Sequence, residues 1–239
     1  TTPLVGDARE TLLKLHAALG ETDASSRPSP ADAVANVREF LARPEHLTEP
    51  QESFNNAVRA GIPKDGIAIY GMTQLGYYGR TNYKTYMPRT YIDSGYSGNL
   101  GFAYPTALGA KLAKPDVPVI CVTGDGGFGY QSPEMATAMK YGINVVTVIF
   151  NDNAYGNVTR DLDMEFGGQY ESELTNPDYV RLAKAYGLES AQVKDPADLE
   201  NTIKDMIDRD APALIEVPVE RMPRPGGMTT RPAWATPRV

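Results

Sequence analysis

The sequence predicts an α/β fold, a parallel sheet with helices on both faces. Four short runs rich in β-branched residues read as strands: 67–70 (IAIY), 117–123 (VPVICVT), 144–150 (NVVTVIF) and 213–217 (ALIEV). They are close to continuously apolar rather than alternating, as strands covered on both faces are. Segments of helical length separate them, and that alternation builds parallel sheets.

Taken in order, residues 7–19 (DARETLLKLHAAL) predict a helix, with Leu12, Leu13, Leu15 and Leu19 forming an apolar stripe and Gly20 a stop. The stretch 21–30 (ETDASSRPSP) is polar and proline-bearing, as linkers are. Ser29 reads as the N-cap of a second helix, with Pro30 in its first turn. A third helix is expected over 51–60. The strand, loop, helix pattern begins at Gly66 and runs to the last strand. Residues 221–239 (RMPRPGGMTTRPAWATPRV), rich in proline and arginine, read as a tail that is either mobile or pinned by a partner.

Composition narrows the classes. With 41% apolar and 22% charged residues the chain is an ordinary folded protein. No run of about 18 apolar residues is present, so no membrane-spanning helix is expected. The first residues lack the basic and apolar regions of a secretion signal. The single cysteine, Cys121, excludes an internal disulfide and points to a reducing cytoplasm. Flanked by Ile120 and Val122, it reads as core. A net charge of −7 without a long basic run argues against a nucleic-acid partner. The two histidines, His16 and His46, both lie near the N-terminus, which excludes a histidine-rich metal site.

The segment 117–156 is the informative one. It reads as strand, a Gly124-Asp125-Gly126-Gly127 loop, a helix over roughly 132–141, a second strand, then Asn151-Asp152-Asn153-Ala154-Tyr155-Gly156. A right-handed crossover makes the two strands parallel and opens both strand-end loops at one sheet edge. Asp125 and Asp152 then face one site. Two carboxylates, a backbone carbonyl and phosphate oxygens form a suitable octahedral shell for Mg²⁺. The glycines let backbone amides approach a phosphate, and the following helix offers its positive N-terminus. Two other readings stay open. Gly124–Gly129 also satisfies G-x-G-x-x-G, the dinucleotide fingerprint, with Asp152 as the ribose-binding acid. A helix start as late as Ser132 and an acid aimed at a pyrophosphate both speak against it. The glycines also suit a purely structural turn.

Gly124-Asp125-Gly126, a gap of 24 residues (127–150), then Asn151-Asp152 resembles the thiamine-diphosphate motif, GDG followed by NN. Residues 48–218 resemble the C-terminal, diphosphate-binding domain of the acetolactate-synthase, benzoylformate-decarboxylase and pyruvate-decarboxylase superfamily. The resemblance implies thiamine diphosphate and Mg²⁺ as cofactors. It makes Asp125, Asp152 and the Ala154 carbonyl the metal ligands, and places Gly124, Gly126 and Gly127 at the diphosphate, with Tyr155 and Gly156 following in the metal loop. Asp152 departs from the family's usual Asn, preserving an oxygen ligand while adding negative charge.

Upstream, residues 93–105 (DSGYSGNLGFAYP) resemble the family segment that holds the cofactor bent. Leu100 matches the apolar wedge, Gly98 the carbonyl that accepts from the cofactor's amino group, and Asn99 lies between them. Leu100 as a plain core residue is the competing reading. Thr73 and Gln74 stand where the family contacts the diphosphate, with an ordinary helix cap as their alternative.

The family acts on 2-oxo acids or related carbonyl compounds, in decarboxylation or carboligation. Its activating glutamate belongs to a separate pyrimidine-binding domain, so the chain alone is not expected to be a complete catalyst. Residues 1–20 look like the end of the family's middle domain, 21–47 a linker and helix, 48–220 the diphosphate- and Mg-binding domain, and 221–239 a tail. The missing glutamate is expected from a partner chain or another segment, in a homo- or hetero-oligomer. Positions 157–163 lack the tryptophan usual in acetolactate synthases, whereas 165–181, with Asn176-Pro177-Asp178-Tyr179, is synthase-like. Arg160 is expected to pair with Asp161 or Asp163 rather than to bind a substrate carboxylate. A non-catalytic cofactor-binding or assembly module and a nicotinamide-binding protein are the competing functions.

Overall fold

The computed structural model describes residues 3–20 and 29–225. The chain divides into two units, residues 1–46 and 47–239. In the first, α1 (Ala8–Leu19) is capped by Asp7, whose side chain accepts from the Glu10 N–H at 3.0 Å. Residues 3–6 pair with no strand. In α2 (Ala31–Leu41) the N-cap is Pro30 rather than the expected Ser29, which stands one position earlier, its Oγ accepting from the Ala31 N–H at 3.2 Å. Neither helix buries a residue, and the leucines of the α1 stripe stay exposed.

The second unit holds a six-stranded sheet among the described residues. Its elements are α3 (Gln51–Gly61), β1 (Ile67–Tyr70), α4 (Gln74–Asn82), β2 (Tyr91–Asp93), α5 (Ala103–Ala113), β3 (Val119–Gly124), α6 (Asp125–Gly129), α7 (Met135–Tyr141), β4 (Val145–Asn151), α8 (Gly156–Phe166), α9 (Tyr179–Tyr186), β5 (Glu189–Gln192), α10 (Pro196–Asp208) and β6 (Ala213–Pro218). Every pairing is parallel, in the order β2-β1-β3-β4-β6-β5. The predicted α/β class and the four predicted strands are present. β2 and β5, the two edge strands, were not expected.

Each central strand feeds two cores by alternation. Ala68, Tyr70, Ile120, Val122, Val148 and Ile215 pack with Phe54 and Val58 of α3 and Leu199 and Ile203 of α10. Ile67, Ile69, Cys121, Ile149 and Leu214 pack with Ala107 of α5, Phe128, Met135 and Tyr179. Cys121 is buried core, and that burial pushes its thiol up.

One expectation needs correction. A helical turn, α6, begins at Asp125 inside the glycine loop, before a 3-10 turn at Ser132–Glu134 leads into α7. The absence of an Ala-like helix former at Gly126, Gly127 and Gly129 hides it from propensity. The late helix start therefore does not separate the metal reading from the dinucleotide reading.

Chain order reverses between β1 and β3: β2 lies to one side of β1, and β3 and β4 lie to the other. In open parallel sheets such a switch point leaves a crevice beyond the carboxyl ends of the strands.

Candidate functional site

At that crevice the loops after β1, β3 and β4 line a cleft of about 190 Å³. Three helices, α4, α6 and α8, start at its wall, so three positive helix ends face it. From β1 come Met72, Thr73 and Gln74; from β3, Gly124, Asp125, Gly126 and Gly127; from β4, Asp152, Ala154, Tyr155 and Gly156. Gly98 and Leu100, with Tyr77, Asn157 and Val158, complete the wall. Asn99 is the exception: it faces a separate shallow depression with Ser94, Ser97 and Phe102, because Gly98 and Gly101 on either side, with φ of 60° and 78°, turn the chain there.

The two acids adjoin. Asp125 is 2% exposed and its carboxyl is raised, by burial above all. Asp152 is pushed up to about 7, first by burial and then by the charge of Asp125. The donors that face them are amides. Asn176 Nδ2 donates to Asp125 Oδ2 at 2.6 Å, and Gln74 Nε2 donates to Asp152 Oδ2 at 2.8 Å.

The Ala154 backbone is aimed by a short antiparallel bridge. The Tyr155 N–H donates to Ser172 O at 2.8 Å and the Leu174 N–H donates to Asn153 O at 2.7 Å, flanking the pair Ala154–Glu173. In such a pair the N–H and C=O of the enclosed residue point away from the bridge. The Ala154 N–H accordingly reaches both carboxylates. Its carbonyl points to the same side. A buried carboxylate beside a half-buried one, opposed by amides and with a carbonyl next to them, fits a divalent cation. Among the described residues no group of three His, Cys, Asp or Glu side chains forms, so a cation here would draw on two carboxylates and that carbonyl. Asn153, at φ 54°, stands behind the acids: its N–H donates to Asn151 Oδ1 at 3.1 Å and its Oδ1 accepts from Asn176 Nδ2 at 3.3 Å.

The glycines are needed for close approach. A Cβ on Gly126 would lie 2.7 Å from the Tyr155 ring, and one on Gly156 would run into Asp152 Oδ2. Thr73 precedes α4 but makes no capping bond, and its hydroxyl lies against Gly124. Gln74 has both amide ends engaged, since its Oε1 accepts from the Met222 N–H at 2.8 Å. Leu100 is 39% exposed on the cleft wall beside Gly127, which is not the setting of a core residue. Asp163 pairs with Arg221 rather than with Arg160. Arg160 donates instead to Asn157 Oδ1 at 2.6 Å. Residues 221–223 of the predicted tail lie along the domain, where Gln51 Nε2 donates to Pro223 O at 2.6 Å.

Behind the two acids, Asn176, Tyr179 and Glu216 were not read from the sequence as site residues, and Asn151 was read only as part of the motif. The single proton of the Tyr179 hydroxyl is shared between Asn176 Oδ1 at 3.2 Å and the Asp125 carbonyl at 3.4 Å. The dipeptide Asn176-Pro177 was the available signal. A polar hollow at the opposite sheet edge, near Lys111, Asn144 and Asp210, satisfies its own groups, as Asn144 Nδ2 donates to Asp210 Oδ1 at 2.9 Å.

Residues 71–217 match the family described as thiamine pyrophosphate enzyme, C-terminal TPP binding domain. The chain belongs to that family. It is 31% identical over 246 residues to a probable acetolactate synthase large subunit of Methanocaldococcus jannaschii, an alignment covering 95% of this chain and 41% of the relative. It is 32% identical over 218 residues to a probable 2-ketoarginine decarboxylase of Pseudomonas aeruginosa, covering 90% of this chain and 38% of that one. The Rhodococcus jostii RHA1 thiamine diphosphate-dependent 4-hydroxybenzoylformate decarboxylase superposes with a TM-score of 0.65 at 32% identity, over 72% of this chain and 32% of that chain. The chain thus spans about two fifths of the length of the curated relatives named here. Family membership sets aside the nicotinamide reading of the glycine loop. Among the described residues no helix is long and apolar enough to cross a membrane.

Proposed function

We propose that this chain supplies the diphosphate- and Mg²⁺-binding half of a thiamine-diphosphate enzyme that decarboxylates a 2-oxo acid or joins it, or a related carbonyl compound, to an acceptor. One observation carries the reading: Asp125 and Asp152 adjoin in the cleft where the Ala154 backbone and three helix ends converge. The acetolactate synthase and decarboxylase relatives support the reaction class.

When bound, thiamine diphosphate supplies the electron sink for bond cleavage beside a carbonyl. The chain's own groups bind and orient. Asp125, Asp152 and the Ala154 carbonyl would hold Mg²⁺. Gly124, Gly126, Gly127 and the start of α6 would receive the diphosphate, with the Thr73 hydroxyl beside them. Leu100 would press the cofactor's two rings together, and the Gly98 carbonyl would accept from its amino group. Met72 and Val158 would exclude water from the cleft wall.

The cleft is smaller than the roughly 300–1,000 Å³ of a complete ligand site. That supports a site finished by another segment or a partner chain, which carries the pyrimidine-binding domain and the activating glutamate. The exposed leucine stripe of α1 supports reading residues 1–20 as part of a middle domain and the assembly as an oligomer.

The test is thiamine-diphosphate binding by calorimetry on the protein as purified with any co-purifying partner. The expected binding requires Mg²⁺, is abolished by a chelator, and is lost in Asp125→Ala. Binding indifferent to both metal and substitution refutes the reading. Binding without turnover of any 2-oxo acid, in the presence of the partner, identifies an assembly module instead.

A further inference from the structure

Glu216 is a carboxylate where the sheet has no evident use for one. β6 reads Ala-Leu-Ile-Glu-Val-Pro, and Glu216 is 5% exposed on the face that also carries Leu214. Desolvating a charge costs several kcal/mol, and an apolar residue would pack there without that cost. Its oxygens are both held by amides. Oε1 accepts from Asn151 Nδ2 at 2.8 Å and Oε2 from Gln192 Nε2 at 2.9 Å.

The bonds continue toward the site in a single possible sense. Asn151 Oδ1 accepts from the Asn153 backbone N–H, which has only a proton to offer, so Asn151 Nδ2 must face Glu216. Asn151 Oδ1 also accepts from Asn176 Nδ2 at 3.0 Å. Asn176 Nδ2 is the group that holds Asp125 Oδ2 at 2.6 Å, while Asn176 Oδ1 is occupied by the Tyr179 hydroxyl. Asn176 Nδ2 also lies 3.3 Å from Asn153 Oδ1. Each amide has one orientation that suits these partners, and Glu216 supplies the acceptor that holds the Asn151 N–H₂ group in it.

We propose that Glu216 is a positioning residue for the metal site, acting through Asn151 and Asn176 to fix the carboxylate of Asp125. The inference rests on the proposed Mg²⁺ role of Asp125. Groups that orient metal ligands from behind are worth roughly ten- to a hundredfold in metal affinity.

The test compares Glu216→Leu with Glu216→Gln. The Leu variant leaves Asn151 Nδ2 without its acceptor. The Gln variant keeps one, since its oxygen accepts from Asn151 while the Gln192 amide, bonded only to Glu216 among the described residues, turns over to accept from the new N–H₂. The readout is the Mg²⁺ concentration that half-saturates thiamine-diphosphate binding, alongside the unfolding midpoint of the metal-free protein. Glu216→Leu should raise the half-saturating concentration roughly ten- to a hundredfold, and Glu216→Gln should stay within about threefold of the parent. Asn176→Ala, in a loop, removes the last link without entering the sheet. It should raise the same concentration even where Glu216→Leu does not fold. Unchanged Mg²⁺ dependence in Asn176→Ala, or in a folded Glu216→Leu, overturns the relay, as does a folded Glu216→Gln that loses as much as Glu216→Leu. A parent protein whose binding ignores Mg²⁺ overturns the relay and the proposed function together, whereas a Mg²⁺-dependent parent with unaffected variants overturns the relay alone.

Discussion

Gln74 donates to Asp152 across the site: its Nε2 lies 2.8 Å from Asp152 Oδ2, while its Oε1 takes the backbone N–H of Met222. One amide thereby joins the loops after β1 and β4 to the segment after β6. The Met222 N–H dictates which end of the amide faces residue 152, and that end is a donor. Asp152 answers it with either oxygen, whereas an Asn would have to present its single carbonyl oxygen. The departure from the family's usual Asn is thus accommodated by the neighbour that faces it.

Replacing Gln74 by Leu should therefore cost stability even without cofactor. The Met222 N–H, buried with its residue, loses its acceptor, which costs about 1–3 kcal/mol. Urea unfolding of metal-free protein should show a lowered midpoint with an unchanged slope. An unchanged midpoint would mean that water replaces the amide.

Asp152 makes both stability and metal binding depend on pH. Its folded value, about 7, exceeds the ordinary carboxylate value near 3.9, so between those limits the folded chain holds more proton than the unfolded one. This group's contribution is best below about pH 4, and metal-free stability falls as pH rises towards 7. Mg²⁺ competes with that proton, so its affinity should rise across the same window and then level. Asp152→Asn should flatten both trends, as checked by denaturation and Mg²⁺ titration at about pH 5 and pH 8.

Gly126→Ala places a Cβ against the Tyr155 ring, which overpacks the cleft. A loss of about 1–3 kcal/mol is expected, relieved by a second change, Tyr155→Ala. Thermal unfolding of the single and double variants measures the coupling. Additive losses would place the strain elsewhere.

Leu100→Ala should leave stability within about 0.5 kcal/mol, since the side chain is partly exposed and packs into neither core. Turnover of a 2-oxo acid by the complete enzyme should fall more than about tenfold if the side chain aligns the cofactor. A large stability loss would instead make Leu100 a packing residue.

The sequence made the centre of the fold legible because physics acts there on consecutive residues. β1, β3, β4 and β6 are covered on both faces, so IAIY and VVTVIF carry their own signal. β2 (YID) and β5 (ESAQ) are short, half-covered edges held by one neighbour each, and nothing local marks them. α6 is hidden by three glycines in five residues. The paired acids and glycines of the site sit at fixed spacing within one crossover and were readable. Asn176 reaches Asp125 from 51 positions away, and Glu216 reaches Asn151 from 65. Their part is set by sheet order, which no periodicity records.

β6 lies between β4 and β5, although it is the last strand of the described chain. Until residues 213–218 have left the ribosome, β4 is a bare border and Asn151 has no carboxylate behind it. The acids are made early and aligned late. A nascent chain halted before this strand would carry the whole glycine loop and both aspartates yet lack the carboxylate that holds Asn151 from behind, so that part of the pocket takes shape only once β6 has joined the sheet.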